Sequence, residues 1–523
     1  MLPALEKSKT HRKIDSSFKG GIWQRVGGKE NTFYSGENVT TDHYPAIASR
    51  TPRRNWLLLS SEIHGMYCAD ALYLACDAEL LRSIAENQTD VLGDVSRTQK
   101  VFGKLGDELL VLPDFKVYDT QNDTLRSETV ELVLGEVLVH GQQYVDEEGT
   151  ARTIPLNTLH CVDFNFPDFF SPGDSVHLTG TDFNDGYYTV REVEEFDLRF
   201  DENTFVAEHI YSCKLSIHAP ALQGICTCGD RLWGYEGNTI YACAPGQVRT
   251  WYRYDGDAQS SYAVTVSDNG PITGCVMHAG RPVFFKSNSM IEIYGDSSEN
   301  YAYVQTCLSG VMQGSAASLC SVGGDMLYLS QNGVVCCSGS TAKVISEPLG
   351  KRLRDGVATT DGRKYYLSAV DETGKRALYV YDTVIRTWYI EDGANIRHLG
   401  YLNGDVFAYC TDDTVRILGH DNTGHGKAEQ EVASYTEFHP IMDDERGEIV
   451  PVRLAVRVAC EPKCKLTLLV RYDDGVWEER AKIESGGNRI WSIPLQPRVC
   501  HSMGIRMEGL GAYRILSLVK EYK

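Results

Sequence analysis

The stretch GRPVFFKSNSMIEIYGD, Gly280–Asp296, opens on a glycine turn, runs through apolar PVFF, turns again at polar KSNS and resumes in MIEIY. Apolar runs of this length bounded by polar turns read as a β-hairpin. The same outline recurs as CADALYLACDAELL from Cys68, GDELLVLPDFKVYD from Gly106, GDRLWGYEGNTIYAC from Gly229, GDMLYLSQNGVVCCSG from Gly324, DGRKYYLSAVDETGKRALYVYD from Asp361 and GDVFAYCTDDTVRILG from Gly404. Successive turns, counted from Asp70, lie about 36 to 51 residues apart, with one interval of about 123. Four-stranded propeller blades recur every 40–50 residues or so, and the long interval predicts an inserted domain.

Tyr, Val, Leu and Phe dominate these runs, as half-buried antiparallel strands require. Helical signals are confined to DAELLRSIAENQ (77–88) and SEPLGKRLRDG (346–356). The expected class is therefore all-β: a six- or seven-bladed β-propeller over 55–126 and 218–424, preceded by an extended arm at 1–54. Radial repetition suits small sheets because it leaves only short protected edges.

The rhythm changes over 127–217. There ETVELVLGEVLVHG and FSPGDSVHLTGTDFNDGYYTVREVEEFDLRFDENTFVAE predict short strands split by PGD, DFNDG and DEN turns, enough for a small inserted β-barrel. Phe164, Phe166, Phe169 and Phe170, clustered around a proline, are expected in its core. The polar linker HDNTGHGKAEQE (420–431) leads to about seven alternating strands, a C-terminal β-sandwich at 425–523.

The chain of 523 residues carries 71 acidic against 51 basic side chains, a formal charge of −20. Gripping duplex phosphates needs clustered Lys and Arg, so general DNA binding is excluded, while an acidic wall suits a duplex that must pass without sticking. The basic start lacks the apolar segment of a signal peptide, and the most apolar run, NWLLLS, is far too short to span a bilayer. These features predict a protein made in a cytosol-like compartment, without a membrane partner. The sixteen cysteines are dispersed, with Cys226/Cys228, Cys336/Cys337 and Cys460/Cys464 the close groups and no CxxC spacing, so free thiols are expected.

No GxSxG, HExxH, GxxxxGK[ST] or GxGxxG pattern occurs. His420, Asp421 and His425 lack a third well-spaced ligand. The acidic turns TDDT, DETGK and DFNDG lack the spaced carboxylates of a calcium loop. RYDDGVWEE (471–479) resembles the Asp-box turn of sialidases but occurs once, and an Asp-Gly hairpin accounts for it. The expectation is no enzyme, no catalytic residue, no cofactor and no metal.

Three stretches resemble tail hub, nozzle or stabilisation proteins of tailed bacteriophages. They are FKGGIWQRVGGKENTFYSGENVTTDHYPAIASRTPRR (18–54), ending in Arg50, Arg53 and Arg54; the hairpin-rich 282–353; and IPLQPRVCHSMGIRMEGLGAYRILSLV (493–519). The resemblance implies a virion structural protein assembled in the host cytoplasm as a closed ring, often sixfold. Such a ring surrounds the channel through which genomic DNA leaves and docks neighbouring tail or adaptor proteins and fibres. The alternative is a propeller that binds or cleaves receptor glycans in the manner of a sialidase.

Overall fold

The computed structural model describes residues 10–25, 31–146, 148–268, 270–419, 429, 431–442, 447–484 and 486–523. Among the described residues the regular structure is β-strand apart from three short 3₁₀ turns, and no helix is long and apolar enough to cross a membrane. The opening hairpin is built as its sequence requires. Arg281–Lys286 pairs with Ser289–Tyr294, burying Phe284, Phe285 and Ile291. Ala279 (φ 49°) and Gly280 (φ 75°) form the preceding turn, both in the left-handed region that matches the twist of a tight hairpin.

The chain divides into two compact units, 1–62 with 83–88 and 317–523, and 63–82 with 89–316. The second contains most of a four-stranded antiparallel sheet at 63–94 and the whole of those at 101–127, 224–265 and 272–307, each ordered as in the chain. Their first strands Val101–Leu105, Gly224–Cys228 and Ile272–His278 lie alongside one another, the inner edge of a propeller-type repeat. Between the second and third sheets, strands from Val130–Leu134 to Cys213–Ile217 form an eight-stranded sheet. Its core of Leu134, Phe166, Val176, Leu178 and Leu215 is continuous with Leu110, Leu232 and Trp251 of the flanking segments.

In the first unit, sheets at 320–344 and 353–392 repeat the pattern. A third is made from Ile396–Leu402, Asp405–Cys410 and Thr414–Leu418, completed by Arg54–Leu58 from the arm. The arm then threads the C-terminal sheets. His11–Asp15 and Ile47–Ser49 pair with Tyr513–Tyr522 in a six-stranded sheet, and Ser35–Glu37 pairs with Ala433–Ile441 in a five-stranded one. One apolar core joins the facing residues of both, including Phe438, Leu454, Val456, Leu468, Ile505 and Leu518.

Both helical expectations are corrected. Residues Glu79–Ala85 are a strand with Leu80 and Leu81 buried, bracketed by turns at Asp77 (φ 53°) and Asn87 (φ 56°). Tertiary burial of the leucine pair overrides local helix propensity there. In the second segment Glu347–Leu349 is a single 3₁₀ turn that Gly350 (φ 60°) closes, and a strand begins at Leu353. Of the phenylalanines expected in a core, Phe166 and Phe170 are buried, whereas Phe169 is 39% exposed and Phe164 packs at the margin.

Candidate functional site

The arginines that end the N-terminal resemblance anchor a buried charge network in the first unit. Arg53, 1% exposed, donates from Nη2 to Glu391 Oε2 at 2.9 Å and to the Asp392 carbonyl at 2.7 Å, while its Nη1 meets Asp392 Oδ1. Arg50 reaches Glu429 Oε2 at 2.7 Å and Asp392 Oδ2 at 3.2 Å, and its Nε donates to Asn38 Oδ1 at 2.9 Å. Asn38, with φ 59°, in turn donates to Asp392 and to the Ala433 carbonyl, both at 2.8 Å. Burial favours the neutral Asp392 carboxyl, but Arg53 and Arg50 outweigh it and hold Asp392 at about 2. The arrangement fastens the arm to the end of the strand Thr387–Asp392 and to Ala433. It leaves no carboxylate pair free for proton transfer, so its chemistry is that of a clasp.

A second cluster lies in the second unit, where the eight-stranded sheet contributes His177 and Tyr187 and the following segments contribute His218, Tyr241, Tyr252 and Tyr254. His177 stacks on Tyr187 with ring centroids 4.2 Å apart, and Tyr187 stacks on Tyr252 at 4.3 Å. Tyr187 Oη and His218 Nε2 are hydrogen-bonded at 3.1 Å, and His218 lies 5.2 Å from the Tyr252 ring. Burial lowers the basicity of both histidines, so they stay neutral near pH 7 and present aromatic faces. Tyr187 is 37% and Tyr254 50% exposed, giving a ring surface with hydroxyl edges. Sequence reasoning missed this cluster because its members are scattered over almost eighty positions with no common spacing.

The sequence-flagged turns close on themselves. Asp371 accepts from the Thr373 and Lys375 amides at 2.9 and 3.1 Å, and Asp185 from the Thr181 amide at 2.8 Å. In RYDDGVWEE, Asp473 accepts from the His501 and Ser502 amides at 2.8 and 2.9 Å, while Arg471 lies over the Trp477 ring at 4.7 Å. This is a hairpin bracing a neighbouring loop. Among the described residues no group of three or more His, Cys, Asp or Glu side chains is placed to hold a metal ion. His420, Asp421 and His425 lie outside the described residues.

No family model matches the chain, and no curated protein matches it. Among solved structures it is similar to an exo-β-1,3-galactanase from Phanerochaete chrysosporium, at 10% identity and TM-score 0.23, over 57% of this chain and 95% of the other. It is similar to the dihydro-heme d1 dehydrogenase NirN at 10% identity and TM-score 0.32, over 75% and 74% of the two chains. A prolyl endopeptidase matches at 10% identity and TM-score 0.27, over 74% of this chain and 54% of its own.

These neighbours are enzymes, which overturns the expectation that the chain is not an enzyme, and that expectation is not retained. Likeness at this level carries no substrate, active-site residue or mechanism to this chain.

Proposed function

We propose that this chain is a structural component of a tailed-bacteriophage particle. In this reading it is a seven-bladed β-propeller with a small β-barrel inserted at 127–217 and a β-sandwich at the C-terminus. It forms a closed ring in the tail hub or nozzle around the DNA exit channel and docks adjacent tail proteins and fibres. Seven four-stranded sheets, the eight-stranded sheet and the paired six- and five-stranded sheets support the architecture. The observation that carries the function is the arm: its strands His11–Asp15, Ser35–Glu37 and Ile47–Ser49, with Arg54–Leu58 at its end, are woven into three different sheets and clasped by Arg50 and Arg53. A connector that transmits force during DNA release needs this internal fastening. The net charge of −20 suits a wall that duplex DNA slides past. Mass spectrometry of phage particles purified from the host carrying this sequence tests the reading. Recovery at fixed stoichiometry with tail proteins supports it, and absence from intact particles overturns it.

A second reading, recognition of a receptor glycan, is favoured by the ring surface at Tyr187, Tyr252 and Tyr254, since aromatic faces pack against the C–H faces of sugars while hydroxyl edges bond their hydroxyls. Binding to host-surface glycan that falls at least tenfold in Tyr254→Ala, with unchanged unfolding, supports it. No binding by the intact protein overturns it.

A further inference from the structure

Two neighbouring sheets of the second unit meet through thiols. The strand Gly224–Cys228 lies alongside Ile272–His278, and the side chains of Cys226 and Cys275 interact where the two strands meet, packed against the same core. Both side chains are half-buried, packed over a core that contains Trp233, Tyr235 and Phe284. The interaction with Cys275, with burial, pushes the Cys226 thiol well above its ordinary range. Cys228, two residues further and so on the same side of its strand, donates from Sγ to the Gly280 carbonyl at 3.4 Å. Sulfur thus reaches from the strand Gly224–Cys228 to the neighbouring strand and to the turn that follows it. A second close thiol pair among the described residues, Cys460 and Cys464, is buried and separated by only a tight turn. It offers an oxidant neither access nor a long loop to close.

We propose that Cys226 and Cys275 form an oxidation site, converted to a disulfide by exchange with a small-molecule disulfide of the glutathione class, which staples the two sheets together. The Cys275 thiolate, having lost its proton to water, attacks one sulfur of the oxidant and expels a thiolate. The Cys226 thiolate, formed by loss of its own proton, then attacks the mixed disulfide at Cys275 and expels the second thiolate. Two protein thiols are oxidised and one small disulfide is reduced to two thiols. The bridge closes a loop of about fifty residues, long enough for the lost freedom of the unfolded chain to be felt. The inference is independent of the phage reading.

The test is to incubate the folded, full-length protein with glutathione disulfide, block remaining thiols under denaturing conditions, and map peptides without reduction. The expected product is two hydrogens lighter and carries a single crosslink joining Cys226 to Cys275. Its unfolding midpoint rises by several degrees and returns to the starting value with dithiothreitol. Cys228→Ser retains the crosslink and Cys275→Ser lacks both crosslink and shift. The mapping of the unaltered protein stands even where a variant fails to fold. Mixed glutathione adducts without the crosslink, or a crosslink between other cysteines, would overturn the proposal.

Discussion

Arg53 is almost sealed from solvent, and its guanidinium is matched on two sides by Glu391 and Asp392. Removing one partner of a buried ion pair strands the other, which typically costs about 3–5 kcal/mol. Arg53→Ala is therefore expected to lower unfolding stability by about that amount, and Arg53→Lys by part of it because a lysine cannot reproduce the forked contacts. Denaturant titration of both variants checks this, and an alanine variant as stable as the parent would remove the clasp from the account.

Asp392 and His398 both contribute to the acid response. Asp392 titrates at about 2 when folded, below an ordinary carboxyl near 3.9, so its stabilisation is complete above about pH 4 and is lost as pH falls towards 2. Burial, with help from Arg397, lowers His398 to about 4 against an ordinary value near 6.5. Below pH 6.5 the unfolded chain takes up a proton that the folded one refuses, so stability falls as pH drops from 6.5 to 4. The loss from this group is at most about 3 kcal/mol. His398→Gln is expected to flatten that limb, read as unfolding free energy against pH.

At the scale of elements, the strand Arg54–Leu58 decides whether the sheet at 396–418 has a complete fourth strand. Leu57 is 3% exposed and lies opposite Val415. Leu57→Asp places an unpaired charge in that contact and is expected to cost about 3 kcal/mol or more. Protease cleavage before Ile63 in the variant but not in the parent is the check. Most strands were legible from turns alone, because glycines such as Gly280 readily take the left-handed backbone that tight turns need. The segment 79–85 was misread because Glu79, Leu80 and Leu81 have good local helix propensity, and only pairing with neighbouring strands shows which face is buried. The pairing of the arm with three sheets left no local trace either. Its partners are hundreds of positions away, as Asn38 with Asp392 illustrates. The ring cluster of the candidate site was invisible for the same reason, while the hairpin nature of RYDDGVWEE was legible from its Asp-Gly.

For the whole molecule, the proposed role depends on assembly. An acidic chain is expected to show no retention of duplex DNA at physiological salt, whether as monomer or ring, because clustered cations are what hold phosphates. A ring made of one chain needs two different faces that meet head to tail and close after a fixed number of copies. The measurement that tests this most directly is the mass of the purified full-length protein in solution, followed by imaging of the particles that form. A discrete closed oligomer with an open central channel is the predicted result. A protein that remains monomeric at all concentrations, and also in the presence of tail extract, would contradict it.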